Sequence, residues 1–401
     1  MKFLTTLLST ILTFCLCAQK HPSLNENMWR GVLSMNDRLE IPFLFHLEKI
    51  GKKYSMTVIN GKESIHMSCL QKNDSLTAFF PGIDAHLKFK IEGNEVRGYW
   101  LNLNKKKIQK IPMYGSNEKT SRFEWAAKDT SSLLRNKYRI VFDDDTDKKN
   151  SVGIFDTRNG NVQGTIMTET GDYRYLEGSI NGNLFKLSTF NGIWAMLVEG
   201  QILGDSIVGN FYSGSSYRTS WRGKADEIVM LRKASSLTYV INDQAINFSS
   251  VTTLKGKPYR PKNDASIKLY QIMGSWCPNC LDEMRFFKEL HNDFAKEGLE
   301  IIALAYENQQ DLRSALTKLR TFRKRMEIPY TICYAGNASK EIASATFPML
   351  NQVMSFPTSI LVDRNGKIRH IHTGFSGPAT GKVYEDYKKE MKEIIIKLIA
   401  E

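Results

Sequence analysis

The residues best suited to chemistry are Trp276-Cys277-Pro278-Asn279-Cys280. Two thiols separated by two residues can close a small disulfide when they stand on the first turn of a helix. Pro278 suits the first helical position, where the N–H that proline lacks would have had no partner. Cys277 then falls at or beside the N-cap, facing unpaired N–H groups and the positive end of the helix dipole. That setting stabilises a thiolate, so Cys277 is expected to titrate below the ordinary value of about 8.5. Cys280, three residues on, is expected inside the helix and more buried. An attacking thiol backed by a resolving thiol is the arrangement that thiol–disulfide exchange needs.

Other uses of the pair fit less well. A zinc site wants a second ligand pair at similar spacing, whereas Cys69 and Cys333 are isolated and His370 and His372 share a strand near the far end. No metal is expected. A purely structural disulfide closing so short a loop would stabilise little. No organic cofactor is expected either: the redox group is the Cys277–Cys280 dithiol itself.

The elements that must position this pair alternate between strand and helix. Ile267 to Met273 reads as a strand, and Pro278 to Lys296 as a helix with Met284, Phe287, Leu290 and Phe294 on one face, ended by Gly298. Leu299 to Tyr306 is a continuous apolar run, as in a buried central strand. Asp311 to Met326 is amphipathic, Tyr330 to Tyr334 and Ser359 to Val362 are strands, and Asp363-Arg364-Asn365-Gly366 turns into Lys367 to His372. Tyr384 to Ile399 closes the chain as a helix. The stretch from Ala335 to Ser355 has little periodicity and reads as an inserted loop-helix excursion. Together these make an α/β domain over residues 243–401.

Upstream the pattern is different. Short alternating runs such as Tyr54 to Ile59 and Leu87 to Ile91 are separated by Asn60-Gly61, Gly93-Asn94, Asn159-Gly160, Gly171-Asp172 and Asn181-Gly182. Asn-Gly between such runs is a strong hairpin signal, because both residues tolerate positive φ. This half is expected to be all-β, antiparallel, and sandwich- or barrel-like. Phe80-Pro81-Gly82-Ile83-Asp84-Ala85-His86-Leu87 is echoed by Phe190-Asn191-Gly192-Ile193-Trp194-Ala195-Met196-Leu197 at an offset of 110 residues. The echo suggests two β modules, 19–118 and 119–242, with chance similarity of two hairpins as the alternative. Trp194 and Tyr217 are aromatic candidates for ligand binding or for core.

A length of 401 residues suits two or three domains, and 42% hydrophobic with 24% charged residues is ordinary for globular proteins. The net charge of +13 is scattered, with short runs only at Lys105-Lys106-Lys107 and Arg323-Lys324-Arg325. That is a solubility term rather than a nucleic-acid footprint. Met1-Lys2 followed by uncharged Phe3 to Cys17 is too short to span a bilayer comfortably and ends in Cys-Leu-Cys-Ala-Gln. Residues 1–18 therefore read as an export signal. An uncleaved anchor, or a lipid on Cys15 or Cys17, are the alternatives, though Phe14 and Leu16 occupy the place where lipoprotein processing wants a small residue. Export would allow disulfides to persist, and places the mature chain in the periplasm or cell envelope.

At the level of these motifs the segment from about Ala245 to Glu401 resembles the thioredoxin superfamily, specifically the exported TlpA/ResA-like thiol–disulfide oxidoreductases. The resemblance rests on the strand Lys268–Gly274, on Trp276 to Cys280, on Phe356-Pro357-Thr358, and on Val362-Asp363-Arg364-Asn365-Gly366-Lys367. It implies a cis Pro357 packed beside the thiols, with Phe356 and Trp276 offering contacts to a client strand. It also implies that Glu283 is the acidic residue near the pair, able to accept or supply a proton. Glu307 is a weaker candidate for tuning. Gln271 departs from the buried Asp of many thioredoxins, and Gly274-Ser275 replaces the usual pair before the Trp. Cys333 and Cys69 read as buried free thiols, with a redox role for Cys333 as the alternative. The function the resemblance implies is an exported oxidoreductase, working in the reducing direction on protein disulfides and fed by a membrane thiol carrier. The rivals are a peroxiredoxin-like antioxidant enzyme, which would need a lone peroxidatic Cys with Thr and Arg beside it, and a binding β protein with a vestigial thioredoxin domain.

Overall fold

The computed structural model describes residues 28–401 except 105–107, 127–128, 130, 132–133, 144–149, 263–265 and 310. The expected signal segment 1–18 and the Lys105-Lys106-Lys107 run lie outside the described residues. Eight antiparallel strands, β1 (Met28–Asn36) to β8 (Gln109–Ser116), pair in chain order and form a closed barrel when β1 pairs with β8. Alternation places Phe43, Phe45, Met56, Val58, Leu87, Phe89 and Trp100 inside, all essentially inaccessible to solvent.

A second sheet runs from β9 (Lys137–Phe142) to β17 (Tyr217–Ala225). Its strand β10 (Ser151–Arg158) pairs with both β9 and β11 (Asn161–Thr168), so this sheet also closes on itself. The short β12 (Gly171–Asp172) folds back on β11, and β13 (Leu176–Asn181) follows. Tyr138, Phe155, Phe185, Val198, Phe211 and Trp221 fill the second interior. The all-β half is thus two closed antiparallel modules.

The two echoing segments occupy the same place in each. Phe80 to Asp84 joins β5 (Ser75–Phe79) to β6 (Ala85–Glu92), and Asn191 to Trp194 joins β14 (Leu184–Phe190) to β15 (Ala195–Leu203). Gly82 and Gly192 both adopt positive φ there. The two connections pack against each other. Phe190 lies among Phe43, Phe80 and Trp100, with ring centroids 4.8, 5.3 and 5.1 Å away, and the Trp100 indole donates to the Gly192 carbonyl at 3.1 Å. The buried amide of Asn60 exchanges hydrogen bonds with the N–H and carbonyl of Phe190. Trp194 is half-buried and packs between the module cores, so it serves the core rather than an open ligand face.

The remainder is a six-stranded mixed sheet. After β18 (Thr252–Thr253), strands β19 (Ile267–Met273), β20 (Leu299–Glu307) and β21 (Thr331–Asn337) are parallel to one another, while β22 (Thr358–Val362) and β23 (Ile368–Thr373) complete the β19 side antiparallel. One face is covered by α1 (Pro278–Phe294), α2 (Leu312–Arg325) and α4 (Lys382–Ala400), through Met284, Phe287, Leu319, Phe322, Met391 and Ile395. The other face is covered by Val251, Tyr259, Ala343, Phe347, Met349 and Leu350. The segment expected to be an excursion is therefore structural: it extends β21, forms α3 (Lys340–Thr346), and supplies the second core layer. Its pattern was hard to read because α3 is short and buries only Ala343 and Thr346.

Candidate active site

The thiol pair stands where β19 gives way to α1. Cys277 is the N-cap, with extended backbone, and its sulfur accepts the Cys280 N–H at 3.3 Å. Pro278 opens the helix. Both cysteines are free thiols here; Cys277 is 5% exposed and Cys280 inaccessible. Burial, with the adjacent Cys277 sulfur and Glu283, raises the Cys280 thiol well above its ordinary pKa. The pair is thus asymmetric, with the outer sulfur at the helix end and the inner one held protonated.

The loop before the pair is tightly held. Ser275 donates from its N–H and its hydroxyl to the two oxygens of buried Glu307, at 2.7 and 2.8 Å. Lys318 lies 3.3 Å from the same carboxylate and balances its charge. A side chain at Gly274 would strike the Trp276 indole, since a Cβ there would sit 2.3 Å from Nε1. This explains the glycine that departs from the family pattern. Trp276 itself donates to the Tyr306 carbonyl at 2.8 Å and meets Phe356 edge-on at 5.5 Å.

The Phe356–Pro357 peptide bond is cis, and the Cys277 thiol reaches the Phe356 carbonyl at 3.4 Å. Trp276, Cys277, Cys280, Phe356 and Pro357 therefore meet in one place, although about 80 residues separate the two segments.

Glu283 is fully buried behind the pair. Gln271 donates to its Oε2 at 2.8 Å, and the hydroxyls of Ser359 and Tyr387 face the same carboxyl without ideal hydrogen-bond geometry. Burial pushes the carboxyl up to about 8, against the opposing effect of these donors. Gln271, on the strand before the pair, thus holds the acid that α1 supplies. Cys333 lies in the core on the opposite face of the sheet from the pair, with burial raising its thiol to about 12. Cys69 is in the first barrel, half-buried and raised to about 11. Neither joins Cys277 and Cys280.

Four residues at the site had no functional reading in the sequence. Asn279 donates to the Asp172 carbonyl at 3.3 Å, and Arg174 donates to the Pro278 carbonyl at 3.3 Å and pairs with Asp282. Asp172 and Arg174 come from the second β module, where Gly171-Asp172 looked like any turn dipeptide. The Asp282 side chain is 4% exposed, burial raises its carboxyl, and besides Arg285 one turn on it meets Arg174, 108 residues away. No local spacing announces that second partner.

A mixed sheet with a Cys-x-x-Cys pair capping its first helix and a cis-proline beside it defines a thioredoxin-fold dithiol domain. Residues 241–387 match the Redoxin family, and the C-terminal part of the chain is a Redoxin domain. Over 154 residues, 38% of this chain and 78% of the relative, it is 29% identical to a protein named thiol-disulfide oxidoreductase ResA from Bacillus thuringiensis subsp. konkukian. It is 30% identical over 107 residues to a protein named thiol:disulfide interchange protein DsbE from Vibrio cholerae, covering 26% of this chain and 49% of that one. A solved thioredoxin family protein from Chlorobium tepidum aligns over 37% of this chain and 90% of its own, with 19% identity and a TM-score of 0.29.

Proposed function

We propose that the Redoxin domain is a protein thiol–disulfide oxidoreductase that works through Cys277 and Cys280. The observation that carries this reading is the N-cap position of Cys277, its sulfur on the Cys280 N–H and its thiol beside Phe356–Pro357. In the reducing direction the Cys277 thiolate attacks one sulfur of a client disulfide. The client S–S bond breaks, a Cys277–client mixed disulfide forms, and the other client sulfur leaves as a thiolate. Cys280 then gives up its proton and attacks the Cys277 sulfur, which frees the reduced client and leaves Cys277–Cys280 oxidised. A carboxyl that titrates near ambient pH suits that proton, and Glu283 is the acid within the same buried pocket. An external thiol donor must restore the dithiol, and we assign that role to a membrane thiol carrier outside the cytosol. Export rests on the apolar segment after Met1-Lys2; among the described residues no helix is long and apolar enough to cross a membrane.

The test combines insulin reduction with trapping. Purified protein should accelerate insulin reduction by a small dithiol, and Cys280→Ser should abolish turnover while accumulating clients covalently on Cys277. Equal turnover by Cys277→Ser would reject the assignment.

A further inference from the structure

The segment between β11 and β13 crosses the mouth of the active site. On one wall, Asn279 and the Pro278 carbonyl bind Asp172 and Arg174. On the other, Ser355, which precedes the Phe356–Pro357 bond, donates its hydroxyl to the Thr170 carbonyl at 3.0 Å. Beyond it, the Gly377 N–H donates to Asp172 Oδ1 at 3.2 Å. Cys277 lies between these two walls and is 5% exposed.

Three features make this segment resemble an occupant of the cleft rather than a neighbouring loop. First, Thr170, in the turn between β11 and β12, and Asp172 of β12 both direct their carbonyls at the thiol site. Both accept hydrogen bonds from residues that flank the thiol. Second, the approach is close enough to require glycine. A Cβ at Gly171, whose φ is +148°, would sit 2.0 Å from Asn279 Nδ2. Third, the segment is tied down by buried charge. The Arg174 guanidinium is 7% exposed and pairs with Asp282 on α1 and with Glu63 of the first barrel. One side chain thereby fastens all three domains at the site.

We propose that Thr170–Arg174 is a built-in occupant of the client cleft and that Arg174 is a specificity-determining residue for the dithiol reaction. The client class follows from the geometry: an exposed turn with a small residue opposite Asn279, whose carbonyls can take over the hydrogen bonds made by Asn279 and Ser355. Folded proteins without such a segment are excluded while the strap is in place. This rests on the oxidoreductase reading for its purpose, but the strap itself is tested without turnover.

The experiment measures alkylation of Cys277 in reduced full-length protein by iodoacetamide and by a maleimide carrying a 5-kDa polyethylene glycol. Arg174→Ala, with folding checked by circular dichroism and thermal melting, removes the tie to both Asp282 and Glu63. The expected result is a rise of roughly tenfold or more in the rate with the bulky reagent and a much smaller rise with iodoacetamide, as the open population grows. Glu63→Gln, which keeps Asp282 paired, should move the ratio in the same direction by less. Arg174→Lys should restore part of the wild-type ratio. An unchanged ratio in folded Arg174→Ala, or in Glu63→Gln where Arg174→Ala does not fold, overturns the proposal. Loss of insulin reduction in wild type with a normal alkylation ratio would instead reject the oxidoreductase reading and leave the strap standing.

Discussion

Gln271 donates from Nε2 to Oε2 of Glu283 at 2.8 Å, joining the strand before the thiol pair to the helix that carries it. The contact is wholly buried, and it presents the carboxyl to the same interior that encloses Cys280. Glu283 therefore belongs to the thiol pocket and not to the solvated face of α1.

Glu283→Gln should flatten the pH dependence of Cys280 reactivity around pH 8, the region where burial places the wild-type carboxyl. Above that pH the ionised carboxylate adds to the repulsion that keeps the inner thiol protonated. The same shift makes a stability prediction. A carboxyl raised in the folded state stabilises fully below its unfolded pKa near 4.5, and that contribution falls as pH rises through about 8. Wild type should thus lose up to about 5 kcal/mol relative to Glu283→Gln between pH 4.5 and pH 8. Urea unfolding of both proteins at the two ends of this range checks it; parallel curves would return Glu283 to a packing role.

Cys277 should be alkylated at least about tenfold faster than Cys280 by a small reagent at neutral pH, since the inner thiol is buried and held protonated. Mass spectrometry of peptides after brief iodoacetamide treatment reads the ratio. Equal labelling of the two sulfurs contradicts the assignment of attacking and resolving roles.

A fragment beginning at Asn242 retains all six strands of the mixed sheet and its four helices. It should fold and reduce a small disulfide reagent, with Cys277 more accessible than in the full chain because Asp172 and Arg174 are gone. Asp282 then keeps Arg285 but loses Arg174, so Asp282→Asn should destabilise the fragment less than the full protein. A smaller loss in the fragment is the expected outcome of thermal melts; equal losses in both settings would mean that Arg174 does not hold the helix.

Phe190→Ala should cost about 3–5 kcal/mol in urea unfolding, as Phe190 is fully buried among Phe43, Phe80 and Trp100 at the junction of the β modules. Trp100→Phe removes the donor to the Gly192 carbonyl and should cost about 1–3 kcal/mol. Losses below 1 kcal/mol in both would show that the modules do not depend on each other through this contact.

How much of this was legible before folding depends on the range of the interaction. Cys277, Pro278 and Cys280 lie within one helical turn, so N-cap placement, the proline at the first position and the inner thiol follow from local geometry. The Asn-Gly hairpins and the apolar run of β20 are equally local, which is why the strands could be read. The similar connections after Phe80 and Phe190 were visible as an echo, but their packing against each other was not. Closure of each β module, the second core layer built from Ala343 to Leu350, and the cluster of Asp172, Arg174 and Asp282 were decided only by tertiary structure. Those contacts join residues far apart in the chain, and at the active site Arg174 and Asp282 stand 108 positions apart. Arg285 is a local mate of Asp282, but buried Arg174 reaches it only when the fold brings the second β module to the helix.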